Sequence, residues 1–361
     1  MTLDELLDSL GFKSWLIIAS TFVLPIINIF GLIFCSISAW IFFQKKFKDP
    51  IFFYYRVLTL VYIIHLLHNI PCCLFFSPKY FPSINTYVIS IYQTYYSWMS
   101  NALFLCEDVL QISILLTKMK TFNKLLKKYF TASPKLISLL VLITCLLIDL
   151  PILFLVKINS FGDFFYTDSY GIKKQASFFY VTTSEFSKSL IGQLISLFSY
   201  FILGILLGLI IGFVLNIISI VQFRRYLRFK RLEQVELQLK YFEIENSTRV
   251  EIKIPYKFSQ KRLNERKTER EMLYMILTLC SISIISRIII LFLSIYVTFH
   301  NELKNFLIIN LIFTSIFTLT SSVAIFIFHS FNKAFRKEFK KIISFEKKNE
   351  IKCQIKCCYK F

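Results

Sequence analysis

The stretch from Tyr87 to Asn123 constrains the fold of this chain more than any other, because it is long, apolar and interrupted by two adjacent acids. It exceeds the roughly 20 residues that a helix needs to cross a lipid bilayer. Glu107 and Asp108 stand side by side near its middle. A membrane helix keeps ionisable side chains only where they face other helices or a wet cavity. The sequence therefore predicts that this helix lies at the centre of a bundle.

Composition places the whole chain in the same membrane class. Hydrophobic residues make up 56% of the 361 positions, and the mean hydropathy is +0.61. Several apolar runs exceed the roughly 18 residues that mark a membrane-spanning helix. We expect an all-α membrane protein, a seven-transmembrane helix bundle with a C-terminal amphipathic interfacial helix. The bundle covers residues 1–330, with spans at about 15–43, 51–76, 87–118, 135–156, 188–222, 272–299 and 306–328.

Four segments outside the spans differ in composition. Residues 157–185, rich in Phe, Tyr and Ser, are predicted to form a loop after the fourth span. Residues 223–271 are predicted to form a long basic loop whose first part continues the fifth helix. Residues 331–345 place phenylalanines on one helical stripe opposite lysines and arginines, which is typical of a helix lying on the membrane surface. Residues 346–361 are predicted to form a cytosolic tail.

The distribution of basic residues predicts how the bundle is oriented. A net charge of +20 would suggest a nucleic-acid partner for a soluble protein, but here the basic residues lie between apolar runs. The loops after spans one and three, the segment after span five and the tail are strongly basic, whereas the intervening loops are mixed or acidic. Short basic loops stay on the cytosolic side of a membrane. We therefore expect a multi-pass plasma-membrane protein with an extracellular amino terminus, a cytosolic carboxyl terminus and no nucleic-acid partner.

Charge of the opposite sign lies in the sixth span. Arg287 falls at a depth broadly similar to that of Glu107 and Asp108. A lone buried arginine costs several kcal/mol, so a pair between Arg287 and one of the two acids is the simplest hypothesis. Adjacent residues on a helix point about 100° apart, so the other acid would face elsewhere. Such a pair is either a conformational latch between helices or a structural contact.

Polar residues on the second span share one helical face. His65, His68 and Asn69 are three and four positions apart and are expected to face the bundle interior. Two histidines without a carboxylate or thiol at ligand spacing favour buried hydrogen bonding over a metal site. The sequence contains no nucleophile elbow, zinc-protease motif or phosphate-binding glycine loop, so we predict no enzyme activity and no cofactor.

Two further patterns concern association with other helices and with lipid. Three glycines repeat at intervals of four in the fifth span, which permits close helix approach either within the chain or in a dimer. These glycines are Gly204, Gly208 and Gly212. Three tail cysteines follow the amphipathic helix, where palmitoylation and unmodified cytosolic thiols are equally consistent with the pattern. They are Cys353, Cys357 and Cys358.

The predicted architecture resembles that of a rhodopsin-like G-protein-coupled receptor, over essentially the whole chain. Seven spans, an extracellular amino terminus, a long basic fifth-to-sixth loop and an amphipathic helix after the seventh span carry the resemblance. Where the family has Asp-Arg-Tyr at the inner end of the third helix, residues 117–119 read Thr-Lys-Met. Counting back from Phe335 and Arg336, the family's Asn-Pro-x-x-Tyr motif falls at 324–328, where only the final aromatic residue remains. These departures indicate a divergent branch.

The resemblance implies a lineage-expanded chemosensory or orphan peptide-type receptor that binds an extracellular ligand and signals through a cytosolic heterotrimeric G protein. The family's amine-binding acid would fall near Ser100, which is uncharged, so a small cationic amine is disfavoured. The ligand would enter between spans two, three, six and seven, where the candidate residues are Tyr95, Tyr96, Trp98, Met99, Ser100, His68 and Asn69. The candidate G-protein surface consists of Lys118, Arg224, Arg225, Arg266 and Arg270.

Another class of seven-span protein stays open on the sequence. One alternative is a ligand-gated channel of inverted topology, similar to insect odorant receptors, and another is a small-solute transporter. Both would also consist of apolar membrane-spanning helices. The inverted channel requires a cytosolic amino terminus, which the basic loops oppose. A transporter typically shows internal repeats or paired broken helices, which this sequence lacks.

Overall fold

The fold is described here from a computed structural model, which describes residues 18–73, 86–120, 123–129, 131–167, 172–199, 209–248, 256–299 and 303–342. Short helices cover Lys124–Tyr129, Glu185–Lys188 and Leu190–Ser196. The longer helices are α1 (Leu24–Phe42), α2 (Pro50–Cys73), α3 (Thr86–Met119), α4 (Pro134–Asp149), α5 (Gly212–Thr248), α6 (Tyr256–Phe299), α7 (Leu303–Phe331) and α8 (333–342).

The lengths of the apolar helices and the residues at helix ends both agree with what the sequence predicts. Within the described residues, six helices are long and apolar enough to cross a bilayer, and α7 contains a shorter apolar stretch at Thr318–Phe331. The start of α4 illustrates how the sequence sets a boundary. Ser133 accepts a hydrogen bond from the backbone nitrogen of Leu136 at 3.2 Å, and Pro134 occupies the first turn, where its missing N–H is tolerated.

Helix α3 is the axis of the bundle, as the acid pair at its middle predicts. It packs against α2, α4, α5 and α6, while α1 contacts α2 and α7, and α6 contacts α7. Most of α3 is buried, whereas α1 and α4 expose apolar side chains such as Phe30 and Leu147. In a bilayer such apolar surface faces lipid rather than water, so its exposure costs no free energy there.

An aromatic cluster closes one end of the bundle. Phe42 of α1 lies 4.9 Å from Phe328 of α7, 5.3 Å from Phe335 of α8 and 5.6 Å from Tyr55 of α2, measured between ring centroids. Phe47, in the turn after α1, packs edge-on against Phe42 at 5.6 Å. The cluster therefore fixes α8 against the first two helices and the turn that joins them.

Residues 157–185, predicted as a loop, instead contain a β-hairpin. Strand β1 (Val156–Thr167) pairs antiparallel with β2 (Lys173–Thr183), with an irregularity between Ser160 and Gly162. Valine, isoleucine, threonine and aromatic residues are abundant here and favour strands. The hairpin lies against α3, where Phe179 contacts Tyr87 with ring centroids 5.1 Å apart. Hydrogen bonds from Ser177 and Gln175 lower the pKa of Asp163 on the hairpin.

The predicted loop at 223–271 is largely helical. Helix α5 runs on to Thr248, and α6 begins at Tyr256, so both membrane helices extend beyond their apolar parts. Lysine, arginine, glutamate, glutamine and leucine are strong helix formers, and they dominate these extensions. Residues 249–255 lie outside the described part of the chain.

Several predicted features fall wholly or partly outside the described residues. The three tail cysteines are among residues 343–361, and Gly204 and Gly208 are among 200–208. Gly212, at the start of α5, is described, and a methyl group placed on it would meet Ile284 of α6 at 3.9 Å. The face of α5 that carries Gly212 is therefore turned toward a helix of the same chain.

Candidate functional site

A buried ion pair joins the central helix to α6. Arg287 Nη2 lies 3.0 Å from Asp108 Oδ1 and donates a second hydrogen bond to the carbonyl oxygen of Phe104 at 3.0 Å. The guanidinium carbon also lies 4.4 Å from the centroid of the Phe104 ring, within cation–π range. Asp108 is 5% exposed and Arg287 4%. The arginine is thus held by a charge, a carbonyl and a ring, all on α3.

Glu107 points away from this pair and toward α2. One of its carboxylate oxygens, Oε1, accepts hydrogen bonds from the Tyr62 hydroxyl at 3.0 Å and from Gln111 Nε2 at 2.9 Å. The turn of about 100° between adjacent helix positions separates the two acids in this way. Asp108 therefore forms the ion pair with α6. Glu107 instead accepts hydrogen bonds from two uncharged side chains, one on α2 and one on α3.

A chain of hydrogen bonds links four helices on the hairpin side of this charge cluster. The Tyr96 hydroxyl on α3 donates to Asn69 Oδ1 on α2. Asn69 Nδ2 donates to Thr318 Oγ1 on α7 at 3.4 Å, and Thr318 Oγ1 donates to Asn28 Oδ1 on α1 at 2.8 Å. Asn28, Asn69 and Thr318 are fully buried. This polar chain fixes the relative positions of α1, α2, α3 and α7.

The two histidines of α2 also bond to α3. His68 Nδ1 lies 2.5 Å from the Tyr92 hydroxyl, and its ring stacks on Tyr96 with centroids 5.0 Å apart. His65 Nε2 lies 3.3 Å from the Ser100 hydroxyl. Within the described residues, no three His, Cys, Asp or Glu side chains are grouped as a metal ion requires. His65 is fully buried and His68 is half-buried, and each forms a hydrogen bond with a hydroxyl group on α3.

The predicted ligand-binding residues divide between two sides of α3. His68, Asn69, Tyr96 and Ser100 come together in the contacts between α2 and α3. Met99 packs at the edge of the hydrophobic core. The other two residues lie apart from this group, since Trp98 Nε1 donates to the carbonyl oxygen of Leu146 on α4 at 3.1 Å and Tyr95 is 53% exposed.

Several hydrogen-bonding partners of the predicted site residues were not singled out from the sequence, and Tyr92 beside His68 is one of them. Tyr62 and Gln111 bind Glu107, while Asn28 and Thr318 extend the chain through Asn69. Their common signal is a polar side chain within an apolar helix, which is costly unless it is bonded. That signal identifies candidates but not their partners.

The predicted G-protein surface lies at the end of the bundle opposite the hairpin. Lys118, at the end of α3, is 8% exposed, and its Nζ lies 3.8 Å from the sulfur of Met272 on α6. Arg224 and Arg225 on α5 and Arg270 on α6 are exposed. The side chain of Arg266 lies outside the described ones. The lysine side chain thus lies between α3 and α6, and the described arginines are exposed.

Helix α8 carries a second polar contact at the same end. Glu338, which is 7% exposed, accepts hydrogen bonds from Lys46 in the turn after α1 and from Lys341 at 3.0 Å. The hydrogen bonds from Lys46 and then Lys341 lower the pKa of the Glu338 carboxyl below its ordinary value of 4.5. This triad joins α8 to the first turn beside the aromatic cluster.

The arrangement of the helices matches that of a solved membrane protein. Squid rhodopsin superposes with a TM-score of 0.63 over 92% of this chain and 87% of its own, at 10% sequence identity. This chain has the seven-helix fold of rhodopsin. The prediction of a seven-transmembrane bundle is therefore confirmed, and the chain is a multi-pass membrane protein. Family models and curated proteins give no match, and at this identity the rhodopsin likeness establishes the fold alone.

Proposed function

We propose that this protein is a G-protein-coupled receptor, which binds an extracellular ligand and signals through a heterotrimeric G protein in the cytosol. The observation that carries the proposal is the likeness to squid rhodopsin over nearly the full length of both chains. A fold by itself does not fix a function, so the residues at the two ends of the bundle must support it. We place the amino terminus and the hairpin outside the cell on the basis of the basic loops.

The ligand-binding end is proposed to lie under the hairpin, between α2, α3 and α7. His68, Asn69 and Tyr96 already share hydrogen bonds and ring contacts there, and Ser100 lies one turn deeper on α3. Ring faces combined with a few polar groups suit an uncharged or aromatic ligand. Because no acid lies among these residues, a cationic amine is disfavoured. Tyr95, Trp98 and Met99 would contribute only at the rim of this site.

The G-protein end is proposed to open around Lys118. Its position at the inner end of α3, beside Met272 of α6, makes it sensitive to any separation of these two helices. Movement of α6 would free the ammonium group from its position between the helices and expose it beside the arginines of α5 and α6. The Asp108–Arg287 pair, about 15 Å further along α3, would then be the latch whose state both ends share.

Topology is the first test of this proposal, and the chain contains one natural N-glycosylation acceptor, at Asn246 on the extension of α5. The substitution Gln175→Asn creates a second acceptor on the exposed hairpin, because Ser177 follows two positions later. We expect glycosidase treatment to shift the gel mobility of the Gln175→Asn variant and not that of the wild type. Sugar on Asn246 instead would invert the bundle and make ion conductance the property to measure.

Coupling is the second test. Basal dissociation of a panel of heterotrimeric G proteins can be recorded in cells that express the chain, without knowing the ligand. We expect at least one G protein to respond to receptor expression, and we expect Lys118→Met to abolish that response at equal surface expression. A matched substitution of an exposed, distant lysine, Lys173→Met on the hairpin, should leave it intact. Correct topology with no response from any G protein would remove the coupling proposal while leaving the fold untouched.

A further inference from the structure

Helix α5 carries buried polar atoms with no hydrogen-bond partner among the described residues. They are both amide atoms of Asn216, the hydroxyl of Ser219 and the side-chain oxygen of Gln222. Asn216 is 7% exposed and Ser219 1%. Leaving such an atom unbonded in the protein interior costs about 1–3 kcal/mol. These atoms therefore point to a partner small enough to enter the packed bundle.

The polar atoms lie on the inward side of α5. Gly212, Asn216 and Ser219 are separated by four and three positions, which places them on one face of the helix. The intervening residues face the other way, with Ile217 46% and Ile218 38% exposed toward the lipid. Lipid therefore cannot reach the polar face, and the bonding partner must lie inside the protein.

The same face of α5 leads to a cavity at the ion pair. The cavity has a volume of about 10 Å³ and is lined by Asp108, Gln111, Gly212, Ser283 and Arg287 together with apolar side chains and Cys280. Within the described part of the chain, Asp108 Oδ2 has no hydrogen-bond partner, although Oδ1 of the same carboxylate binds Arg287. A volume of this size, with polar groups of Asp108, Gln111, Ser283 and Arg287 in its lining, fits one water molecule.

The spacing of these groups matches a continuous file of water. Helix rise places Asn216 about 6 Å from Gly212 along the axis, and Ser219 and Gln222 each about 4.5 Å further on. One water molecule with a hydrogen bond of about 2.8 Å on each side spans such a step. Gln222 lies near the exposed Arg224, at the end of the bundle opposite the hairpin, which we call the basic end. The whole distance along α5 from the cavity to Gln222 is about 15 Å.

We propose that a file of water molecules runs along the inward face of α5, from Gln222 past Ser219 and Asn216, and connects Asp108 Oδ2 to the solution at the basic end of the bundle. Along this file the buried carboxylate exchanges protons with bulk water. A hydronium ion that reaches the cavity breaks one of its O–H bonds while one O–H bond forms on Oδ2. Asp108 then becomes neutral, and Arg287 loses its ionic partner.

Other titratable groups surround Asp108 and influence its protonation equilibrium. The nearest counter-charge is Arg287, and the second carboxylate is Glu107. Further titratable side chains in the surrounding electrostatic network are Tyr62 and His65 on α2, Cys106 on α3, Cys145 and Asp149 on α4, and Cys280 on α6. A protonation signal must therefore be assigned to Asp108 by substitution rather than by pH alone.

Thiol accessibility tests the water file without assuming a function or an orientation. The substitutions Asn216→Cys and Ser219→Cys place thiols on the file, and Ile217→Cys and Ile218→Cys place them against lipid. A charged, water-soluble methanethiosulfonate reagent is applied to unsealed membranes. The reaction of the wild-type chain gives the background from native cysteines. We expect the two file positions to react at least tenfold faster than the two lipid positions. Equal rates at all four positions would overturn the file.

Infrared spectroscopy tests the proton route. At acidic pH, we expect a protonated-carboxyl band that is absent in Asp108→Asn and retained in Glu107→Gln. Transfer to D2O should shift this band, and Ser219→Leu, which fills the file with an apolar side chain, should slow the shift at least tenfold. A band that exchanges at the same rate in Ser219→Leu, or the absence of any band assigned to Asp108, would overturn the proton route.

Discussion

A methyl group added to Gly31 of α1 would stand 2.5 Å from the hydroxyl oxygen of Ser322 on α7. It would also lie 3.3 Å from both methyl carbons of Leu66 on α2. The Ser322 hydroxyl is held by its hydrogen bond to the carbonyl oxygen of Thr318 at 2.7 Å. Three helices therefore meet at Gly31 closely enough that only a hydrogen atom fits between them.

Gly31→Ala is predicted to destabilise the protein by roughly 1 kcal/mol net. Overpacking a close helix contact costs about 1–3 kcal/mol, against about 1 kcal/mol that alanine gains over glycine in a helix. Thermal unfolding in detergent measures the result.

The clash with Ser322 can be separated from other effects of the alanine. Ser322→Ala removes the hydroxyl that the new methyl group would meet. We expect the double variant Gly31→Ala, Ser322→Ala to recover a large part of the loss. If the two single effects simply add, the close contact between α1 and α7 is not the cause.

Arg287→Met is predicted to lower the unfolding free energy by about 3–5 kcal/mol, because it leaves the carboxylate of Asp108 buried without a counter-charge. Unfolding of purified protein and the amount at the cell surface give the measurement. Arg270→Met removes an exposed arginine from the same helix and should change stability little.

Removing both charges should be milder than removing one. In the double variant Asp108→Asn, Arg287→Met no buried charge is left from the pair, so we expect at least half of the single-variant loss to be recovered. If the pair is a latch, the double variant at full surface expression also changes basal signalling. Recovered stability with unchanged signalling would assign the pair a structural role alone.

Phe335→Ala is predicted to cost about 3–5 kcal/mol, since the side chain is fully buried between Phe42 and Phe328 in the aromatic cluster. The loss would appear in thermal unfolding and in protease sensitivity at α8. Phe292→Ala, at a position 68% exposed on α6, is the control and should have a much smaller effect. Equal effects at the two positions would mean that the cluster does not hold α8.

The sequence was sufficient for features that depend on hydrophobicity and periodicity. The central place of α3 followed from the cost of burying Glu107 and Asp108, and α8 followed from its phenylalanine stripe. The partners within the charge cluster did not follow, because an angular spacing of about 100° says that the two acids diverge but not toward which helix. Only the packing of α3 between α2 and α6 assigns Asp108 to Arg287 and Glu107 to Tyr62.

The hairpin and the helical extension of α6 were missed for a different reason. Strand pairing depends on register between Val156–Thr167 and Lys173–Thr183, and single-sequence propensity does not encode that register. The continuation of the fifth helix beyond its apolar part was predicted, whereas the charged extension of α6 from Tyr256 was predicted as a loop because apolar length sets only the membrane part of a helix. The helix-forming composition of that extension was the available signal. Trp98 stays a predicted ligand-binding residue, and its hydrogen bond to Leu146 of α4 did not follow from the sequence, because an aromatic side chain on α3 does not specify which neighbouring helix it contacts.

The pH dependence of the contact between α8 and the first turn follows from Glu338. Its pKa lies below the ordinary value of 4.5 because Lys46 and Lys341 donate hydrogen bonds to the charged carboxylate. A lowered folded-state pKa means that this contribution is fully present above pH 4.5 and is lost as the pH falls through the folded-state pKa. Thermal unfolding of wild type and Glu338→Gln should therefore differ at neutral pH and converge in acid. Lys46→Met should reduce the difference at neutral pH, since it removes the larger cause of the lowered pKa. A difference between wild type and Glu338→Gln that stays constant into acid would mean that the carboxylate charge does not hold α8 in place.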